Sequence, residues 1–369
     1  MAQGLPVTLG LRSRHSVALA LPTVPRENNF DLLRFGFAFT VFLVHAYTLA
    51  GQADLALFAE LLSSEVAVRS FFVVSGFLIF KSYEDSSSAG SYFGKRLRRI
   101  YPAYGFVICS CAVLGVFFSS FTWQAYFGMG FIKYIAANLV FLNFLSLDLP
   151  GVFSHNTLTA VNGALWTLKI EVMFYLLVPL MVRAMRRYGY LLVLVALYAL
   201  SVLYFEVAGA MAQRSGSAIY LEIQRQLPGQ LTYFLAGALG YYYLPVFNKY
   251  GWRLAVLAAL AFALQAWLPW VLVGPLALAT LVIYAACVAP CVGAFGKYGD
   301  FSYGIYILHF PLLQTLVALG WFRGGAVVTL FVATALLLLL AVLLWNFVEQ
   351  PWLQKSSHYR AAVREVPPA

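Results

Sequence analysis

Long apolar stretches recur along the whole chain and are separated by short polar segments. A helix that crosses a bilayer needs about 20 predominantly apolar residues. Ten stretches meet this requirement and predict membrane-spanning helices over 30–50, 65–83, 101–119, 164–184, 189–207, 228–247, 252–268, 270–290, 300–320 and 325–347. The stretch 252–290 is divided at Pro269, because proline interrupts helical hydrogen bonding. The pattern therefore predicts an all-α, polytopic membrane protein.

The segments outside these stretches complete the predicted organisation. Residues 1–29 form an N-terminal arm, 30–349 a transmembrane domain and 350–369 a C-terminal tail. Residues 131–147, within the long connection between the third and fourth spans, are only partly apolar. We expect this piece to be re-entrant or interfacial rather than spanning.

Composition agrees with this pattern and excludes several other classes. Of the 369 residues, 62% are hydrophobic and 10% are charged, and the mean hydropathy is +0.81. A soluble domain has roughly 45–50% apolar and about 25% charged residues. The difference excludes an ordinary cytosolic enzyme and a disordered chain. All four cysteines lie in apolar stretches, so we expect neither a disulfide framework nor a metal site.

The cationic residues indicate the orientation in the membrane. The chain has 24 Lys and Arg against 14 Asp and Glu, with a net charge of +10. With the N-terminus inside, 17 of the cations fall in cytoplasmic segments, four in outer loops and three within spans. This bias follows the positive-inside rule and predicts that both termini are cytoplasmic. It also accounts for the positive charge without nucleic-acid binding.

The first span carries ionisable residues, which are functional candidates because they are costly inside a bilayer. Arg34 and His45 are eleven positions apart, so they share one helical face about 16 Å apart along the axis. Asp31 lies one turn before Arg34 and can pair with it. These residues predict a polar track from the cytoplasmic surface into the outer half of the bilayer. The alternative is a structural hydrogen bond of His45 between helices, with Arg34 extending to the interface.

A basic cluster, Lys95-Arg96-Leu97-Arg98-Arg99, precedes the third predicted span. Spacing alone favours a topology anchor that contacts anionic lipid headgroups. Arg96 and Arg99 are three residues apart, however, and their guanidinium groups could converge on the phosphates of a cofactor.

The fourth span carries Lys169 and Glu171, and it runs from outside to inside. Glu171 therefore lies at a depth comparable to that of His45, which predicts an acid/base pair between the two side chains. Lys169 is not expected to pair with Glu171, because i and i+2 residues do not face each other on a helix.

Polar residues on the ninth span share one face, because Ser302, Tyr306 and His309 stand at i, i+4 and i+7. The alternative to a functional face is a stripe of interhelical hydrogen bonds. Glu349 closes the last span at the cytoplasmic face, either solvated or paired with a loop arginine.

Five motifs, taken in order, resemble the membrane-bound acyltransferase 3 family over roughly residues 28–352. They are Phe30-Asp31-Leu32-Leu33-Arg34 with His45, Phe71-Phe72-Val73-Val74-Ser75-Gly76-Phe77-Leu78-Ile79, Arg96-Leu97-Arg98-Arg99-Ile100-Tyr101-Pro102, Trp166 with Glu171 and Phe174-Tyr175, and Ser302-Tyr303-Gly304-Ile305-Tyr306 with His309. The resemblance implies a ten-helix domain that moves an acyl group, usually acetyl, from cytoplasmic acyl-CoA to a sugar hydroxyl. The acceptor would be a surface polysaccharide or its lipid-linked precursor.

The resemblance also implies roles for individual residues. Arg34 and His45 match the family's first-helix Arg/His motif, and Arg96 and Arg99 match its RxxR motif, which favours cofactor binding over an anchor. Glu171 and the polar face of the ninth span match commonly polar positions. Lys169 departs from the family, in which a small polar residue is more usual at this position. We expect no extracytoplasmic hydrolase-like domain, which would imply direct transfer or transfer to a separate partner.

The resulting hypothesis places acetyl-CoA phosphates on Arg34, Arg96, Arg98 and Arg99. His45 would act as general base on the acceptor hydroxyl, with its imidazole oriented by Glu171. The remaining candidates line the path for substrate: Asp31, Lys169, Ser302, Tyr306 and His309. A covalent acyl-histidine is the alternative mechanism. The rival function is a carrier or flippase for a lipid-linked saccharide. With either function, we expect the protein in the bacterial inner membrane, in contact with lipid. It could be a monomer or a homo-oligomer.

Overall fold

The computed structural model describes residues 21–293 and 295–354, and these residues are mainly helical, with no named strand. One isolated antiparallel bridge joins Ser119 and Val152. The described helices are α1 (Phe30–Ala50), α2 (Ala56–Leu61), α3 (Ser64–Glu84), α4 (Ala89–Leu114), α5 (Trp123–Tyr126), α6 (Met129–Leu139), α7 (Trp166–Tyr188), α8 (Tyr190–Ser215), α9 (Ile219–Gln224), α10 (Leu227–Tyr242), α11 (Leu244–Ala263), α12 (Trp270–Ile283), α13 (Ser302–Ala318), α14 (Trp321–Gly324), α15 (Ala326–Leu344) and α16 (Gln350–Trp352). π-Helical turns follow α12 and α15, at Tyr284–Val288 and Trp345–Glu349. The all-α prediction is confirmed for the described residues.

Each of the ten predicted spans coincides with a helix: α1, α3, α4, α7, α8, α10, α11, α12, α13 and α15. Seven of these helices are long and apolar enough to cross a membrane, namely α1, α3, α4, α7, α8, α12 and α15 with their helical extensions. The helices α10 and α13 are shorter, with 16 and 17 residues, and α11 carries Lys249 and Arg253 in its first half. The count of ten and the side of the termini stay predictions. Residues 1–20 and 355–369, which belong to the predicted arm and tail, lie outside the described residues.

The start of α4 and the length of α6 refine the prediction for the third span and for the connection that follows it. The helix α4 begins at Ala89 rather than near 101, because the hydroxyl of Ser88 accepts a hydrogen bond from the backbone N–H of Ser91 and caps the first turn. The basic cluster therefore lies on a helix. The helix α6 has 11 residues and a length of about 17 Å, which is too short to span a bilayer. This agrees with the expectation for residues 131–147.

The helices α3 and α10 cross with their backbones in direct contact. A Cβ atom on Gly76 would lie 1.9 Å from the carbonyl oxygen of Phe234, and one on Gly237 would lie 2.0 Å from that of Val73. Small residues permit such a close approach of membrane helices. Nearly every residue of α10 is buried. This crossing therefore fixes α3 against the buried helix α10.

The contacts that α3 and α13 make with neighbouring helices position the polar residues. The helix α1 packs against both α3 and α13, α7 packs against α3, and α13 packs against α15. Gly304 on α13 allows a close approach to α15, because a Cβ atom there would lie 3.1 Å from the Cα atom of Ala341. The polar faces of α1, α3, α7 and α13 consequently meet inside the bundle.

We predict that Gly76→Ala destabilises the protein, because the added methyl group meets a backbone carbonyl that cannot move aside. Overpacking of this kind typically costs about 1–3 kcal/mol. The matched control is Gly36→Ala, since Gly36 is exposed on α1 and a methyl group added there would have no neighbouring atom within 4 Å. The measurement is the thermal unfolding midpoint of the purified protein in detergent. Equal midpoints for the two variants would contradict the proposed role of the crossing.

Candidate functional site

A cavity lies between α1, α3, α7 and α13. Its volume is about 50 Å³, which is enough to hold a few water molecules. It is lined by Arg34, Val68, Phe71, Phe72, Ser75, Thr167, Leu168, Glu171, Ser302, Tyr303 and Tyr306. Polar groups and aromatic rings thus share a cavity inside an apolar bundle.

Glu171 is held on one wall of this cavity by two hydroxyl groups. Its Oε1 atom accepts hydrogen bonds from Ser75 at 3.2 Å and from Tyr175 at 2.7 Å.

Lys169 points away from Glu171: its Nζ donates to Gln226 Oε1 at 2.7 Å and lies 4.9 Å from the centre of the Phe144 ring. The two residues do not pair, as expected from their spacing. Lys169 is not among the residues that line this cavity, contrary to the predicted path.

Asp300, in the segment before α13, is the centre of a second polar group. It is 2% exposed, and its carboxylate forms ion pairs with Arg34 on α1 and Arg99 on α4. The backbone N–H of Ser302 donates to Asp300 Oδ1 at 3.1 Å, and the Ser302 hydroxyl donates to the same atom. Asp300 therefore caps α13 and links it to two other helices. Asp31 adds a longer contact of 3.9 Å to Arg34, as its spacing predicts.

Arg99 extends this group to the end of the last long helix. Its Nη1 donates to Glu349 Oε2 at 3.0 Å, and its guanidinium carbon lies 5.7 Å from the centre of the Trp345 ring. Glu349 and Trp345 both belong to the π-helical turn after α15, and both are buried. Glu349 is therefore paired with an arginine and is not solvated. We call Arg34, Arg99, Asp300 and Glu349 the arginine–carboxyl network.

The network changes the prediction for the basic cluster. Arg99 contacts Asp300 and Glu349, whereas Arg96 donates from Nη2 to Ser82 Oγ at 3.0 Å and lies 5.9 Å from the centre of the Tyr175 ring. The two side chains contact different helices, so they do not converge on one point. In the described part of the chain no carboxyl group lies within ion-pair distance of Arg96, and Arg98 is exposed.

His45 contacts His309 and not Glu171. His45 Nδ1 lies 2.8 Å from His309 Nε2, and His309 Nδ1 lies 2.7 Å from the carbonyl oxygen of Tyr306. The predicted acid/base pair of His45 with Glu171 is therefore wrong, since comparable depth does not place two side chains on facing surfaces. His309 is completely buried, whereas His45 is partly exposed. We call His45 and His309 the histidine pair.

The local sequence of α13 explains how His309 is held. Pro311 has no N–H group, which leaves the carbonyl of Ile307 without its helical partner. Asn162 fills that position, because its Nδ2 donates to the Ile307 oxygen at 2.9 Å. The segment that leads into α7 is thereby attached to α13 within one turn of His309.

The cavity and the histidine pair are neighbouring but separate. Ala38 and Val41 lie between Arg34 and His45 on α1, and both are buried in an apolar cluster. Neither they nor His45 line the cavity. Tyr306 belongs to both places: its side chain lines the cavity and its hydroxyl lies 2.7 Å from Thr167 Oγ1, while its carbonyl contacts His309. The predicted continuous track is thus interrupted by an apolar layer.

Asp300 was missed in the sequence, although a signal for it is present. Acidic residues are favoured just before a helix, where the carboxylate accepts hydrogen bonds from backbone N–H groups. Asp300 stands two residues before Ser302 at the start of an apolar run. Its pairing with arginines on two other helices could not be deduced without knowledge of which helices are neighbours.

We predict that Asp300→Asn lowers stability, because the amide can still cap Ser302 but removes the charge that Arg34 and Arg99 share. Removing one partner of a buried ion pair typically costs about 3–5 kcal/mol. The control is Asp85→Asn, which removes an exposed pair of 2.5 Å with Lys81 that is expected to contribute at most about 1 kcal/mol. The check is the unfolding midpoint of each purified variant. Similar losses in both variants would argue against a central role of the network.

Known proteins that are similar to this chain share most of its length. The acyltransferase domain family matches residues 27–346. An O-acetyl transferase of Shigella phage Sf6 is 25% identical over 350 residues, which cover 90% of this chain and 98% of the phage protein. Nodulation protein 10 of Rhizobium leguminosarum bv. viciae is 29% identical over 355 residues, which cover 88% of this chain and 93% of the rhizobial protein. No solved structure matches significantly. Since the family match covers most of the chain, this protein belongs to the membrane-bound acyltransferase 3 family.

Proposed function

We propose that this protein transfers an acetyl group from cytoplasmic acetyl-CoA across a bacterial inner membrane to a sugar hydroxyl. The acceptor is a surface polysaccharide or its lipid-linked precursor. Family membership and the name of the phage relative support acyl transfer to oxygen. The observation that carries the proposal is the histidine pair, in which a partly exposed imidazole is held by a buried one near a cavity lined by polar and aromatic side chains.

His45 supplies the chemistry in this proposal. Its imidazole takes the proton of the acceptor hydroxyl as that oxygen bonds to the thioester carbonyl carbon. The carbon–sulfur bond then breaks, and the CoA thiolate receives the proton from the imidazolium. In the two-step alternative the imidazole nitrogen attacks the thioester carbonyl carbon, the carbon–sulfur bond breaks, and CoA leaves as a thiol with the proton that the acylated ring loses. The acceptor hydroxyl then attacks the acyl-histidine, takes the acetyl group and returns its proton to the imidazole.

The donor substrate enters from the cytoplasmic end of the bundle. Arg96 and Arg98 bind its phosphates in this proposal, because Arg34 and Arg99 already contact carboxyl groups. Guanidinium groups suit phosphate oxygens, since they donate in a planar fork. The pantetheine arm contains amide and methylene groups, and the cavity offers both hydroxyl groups and aromatic rings to such a chain.

We predict that His45→Ala abolishes transfer, because it removes the base. A positioned general base contributes typically 10²–10⁴-fold to the rate. Two measurements check this: the fate of isotopically labelled acetyl-CoA with the purified protein, and the mass of cell-surface glycans, which should lack one acetyl unit in the variant. The control is His155→Ala, since His155 is exposed in the segment between α6 and α7.

The same experiment separates an acyltransferase from a carrier of lipid-linked saccharides. A carrier would leave labelled acetyl-CoA unchanged in the presence of purified wild-type protein. That outcome, or a His45→Ala variant as active as the wild type, would overturn the proposed function.

We also predict that Arg96→Gln raises the KM for acetyl-CoA by roughly 10–100-fold, which corresponds to the loss of a charge-assisted hydrogen bond of about 1.5–3 kcal/mol. Acetyl-pantetheine has no phosphate groups, so the variant should use it as well as the wild type does. Arg187→Gln is the control, because Arg187 is an exposed cation in the last turn of α7. An equal penalty with both donors would show that Arg96 does not bind the phosphates.

A further inference from the structure

We propose that His309 is a positioning residue that holds His45 with its proton on Nδ1, so that Nε2 of His45 is the reacting atom. The inference rests on the proposed function and refines it, since it assigns the tautomer and the reacting nitrogen.

The carbonyl of Tyr306 determines the direction of the hydrogen bonds. A carbonyl oxygen only accepts, so His309 Nδ1, which lies 2.7 Å from it, must carry a hydrogen. In a neutral imidazole the other nitrogen then has a lone pair and accepts. His309 Nε2 lies 2.8 Å from His45 Nδ1, so His45 donates from Nδ1. Nε2 of His45 is consequently left with its lone pair, which is the form that a base or nucleophile needs.

The opposite direction would require a doubly protonated His309. Its Nε2 would then donate to His45, and the remaining proton of His45 would sit on Nε2. His309 is completely buried, and no carboxyl group bonds to either histidine among the described residues. An unpaired cation in such a place is strongly unfavourable. The neutral arrangement is therefore the one that the surroundings stabilise.

The different burial of the His45 and His309 rings indicates different roles for them. His309 lies in the bundle interior with both nitrogens engaged, so no substrate atom can reach it. His45 is partly exposed, and among the described residues no protein group bonds to its Nε2. The ring of Phe310 packs edge-on against His45 with centroids 5.6 Å apart, which restricts rotation of the imidazole. The buried histidine therefore orients, and the accessible histidine reacts.

This arrangement also stabilises the charge that develops during transfer. When Nε2 of His45 takes the hydroxyl proton, the ring becomes an imidazolium and its Nδ1–H bond becomes a stronger donor. The lone pair of His309 Nε2 accepts that bond, while the proton on His45 Nδ1 stays in place. A carboxylate fulfils this role in serine-protease triads. A neutral imidazole supports the charge without placing a permanent anion inside the bundle.

Two substitutions of His309 separate orientation from simple packing. His309→Leu removes the acceptor, and we expect kcat to fall on the order of 100-fold with little change in KM for acetyl-CoA. His309→Gln retains an amide oxygen that can accept from His45 Nδ1, so it should recover at least tenfold of that loss. Unfolding midpoints and the His155→Leu control exclude a general loss of folded protein.

The tautomer is measured independently of activity. The chain has five histidines, and replacement of His15, His155 and His358 by Gln leaves only the pair for nitrogen-15 NMR. We expect protonated Nδ1 and unprotonated Nε2 on His45, and a shift towards protonated Nε2 in His309→Leu. A wild-type His45 protonated on Nε2 would overturn the inference, as would a His309→Leu variant with unchanged kcat and tautomer. Absence of any acetyl transfer by the wild type would overturn the proposed function alone, because the NMR result does not depend on turnover.

Discussion

The packing of α1 along α13 gives hydrogen-bonding partners to Arg34 and His45, two polar side chains that α1 carries into the bundle. Arg34 pairs with Asp300 just before α13, and His45 contacts His309 within it. The two helices run parallel, with their N-terminal ends close together. The helix α13 and the segment before it can therefore supply hydrogen-bonding partners for both Arg34 and His45. Polar groups in an apolar environment are stable only when they are partnered. The position of α13 against α1 is therefore the constraint on which the site depends.

The two partnered positions on α1 differ in charge. Charged groups are concentrated in the arginine–carboxyl network, whose members come from α1, α4 and the segments beside α13 and α15. The histidine pair, further along α1, needs no carboxylate partner. Under the proposed function, this separation would let a charged donor bind at one end of the bundle while the imidazole of His45 stays neutral until a proton reaches it. Tyr306 lines the cavity, as Arg34 does, and its carbonyl contacts His309, so it connects the cavity to the histidine pair.

Helical periodicity predicted which residues share a face, but it could not predict which faces meet. The shared face of Arg34 and His45 and that of Ser302, Tyr306 and His309 follow from spacing alone, and both sets have their partners inside the bundle. Depth suggested Glu171 as the partner of His45, yet Glu171 faces Ser75 on α3. The angle of a side chain around its helix and the order of neighbouring helices are tertiary properties. They are set by contacts such as the glycine crossing of α3 and α10, where backbones touch.

The two arginines of the RxxR motif show how one residue type takes two structural roles within a single turn. Arg99 contacts Asp300 and Glu349, and so it connects α4 to the segments beside α13 and α15. Within the described part of the chain, Arg96 contacts neutral groups, a serine hydroxyl and the face of a tyrosine ring. A phosphate that approaches Arg99 must displace a carboxyl group, whereas one that approaches Arg96 replaces a hydroxyl. Since separating a buried ion pair is costly, the motif is divided into a structural arginine and one that is available to an anionic ligand.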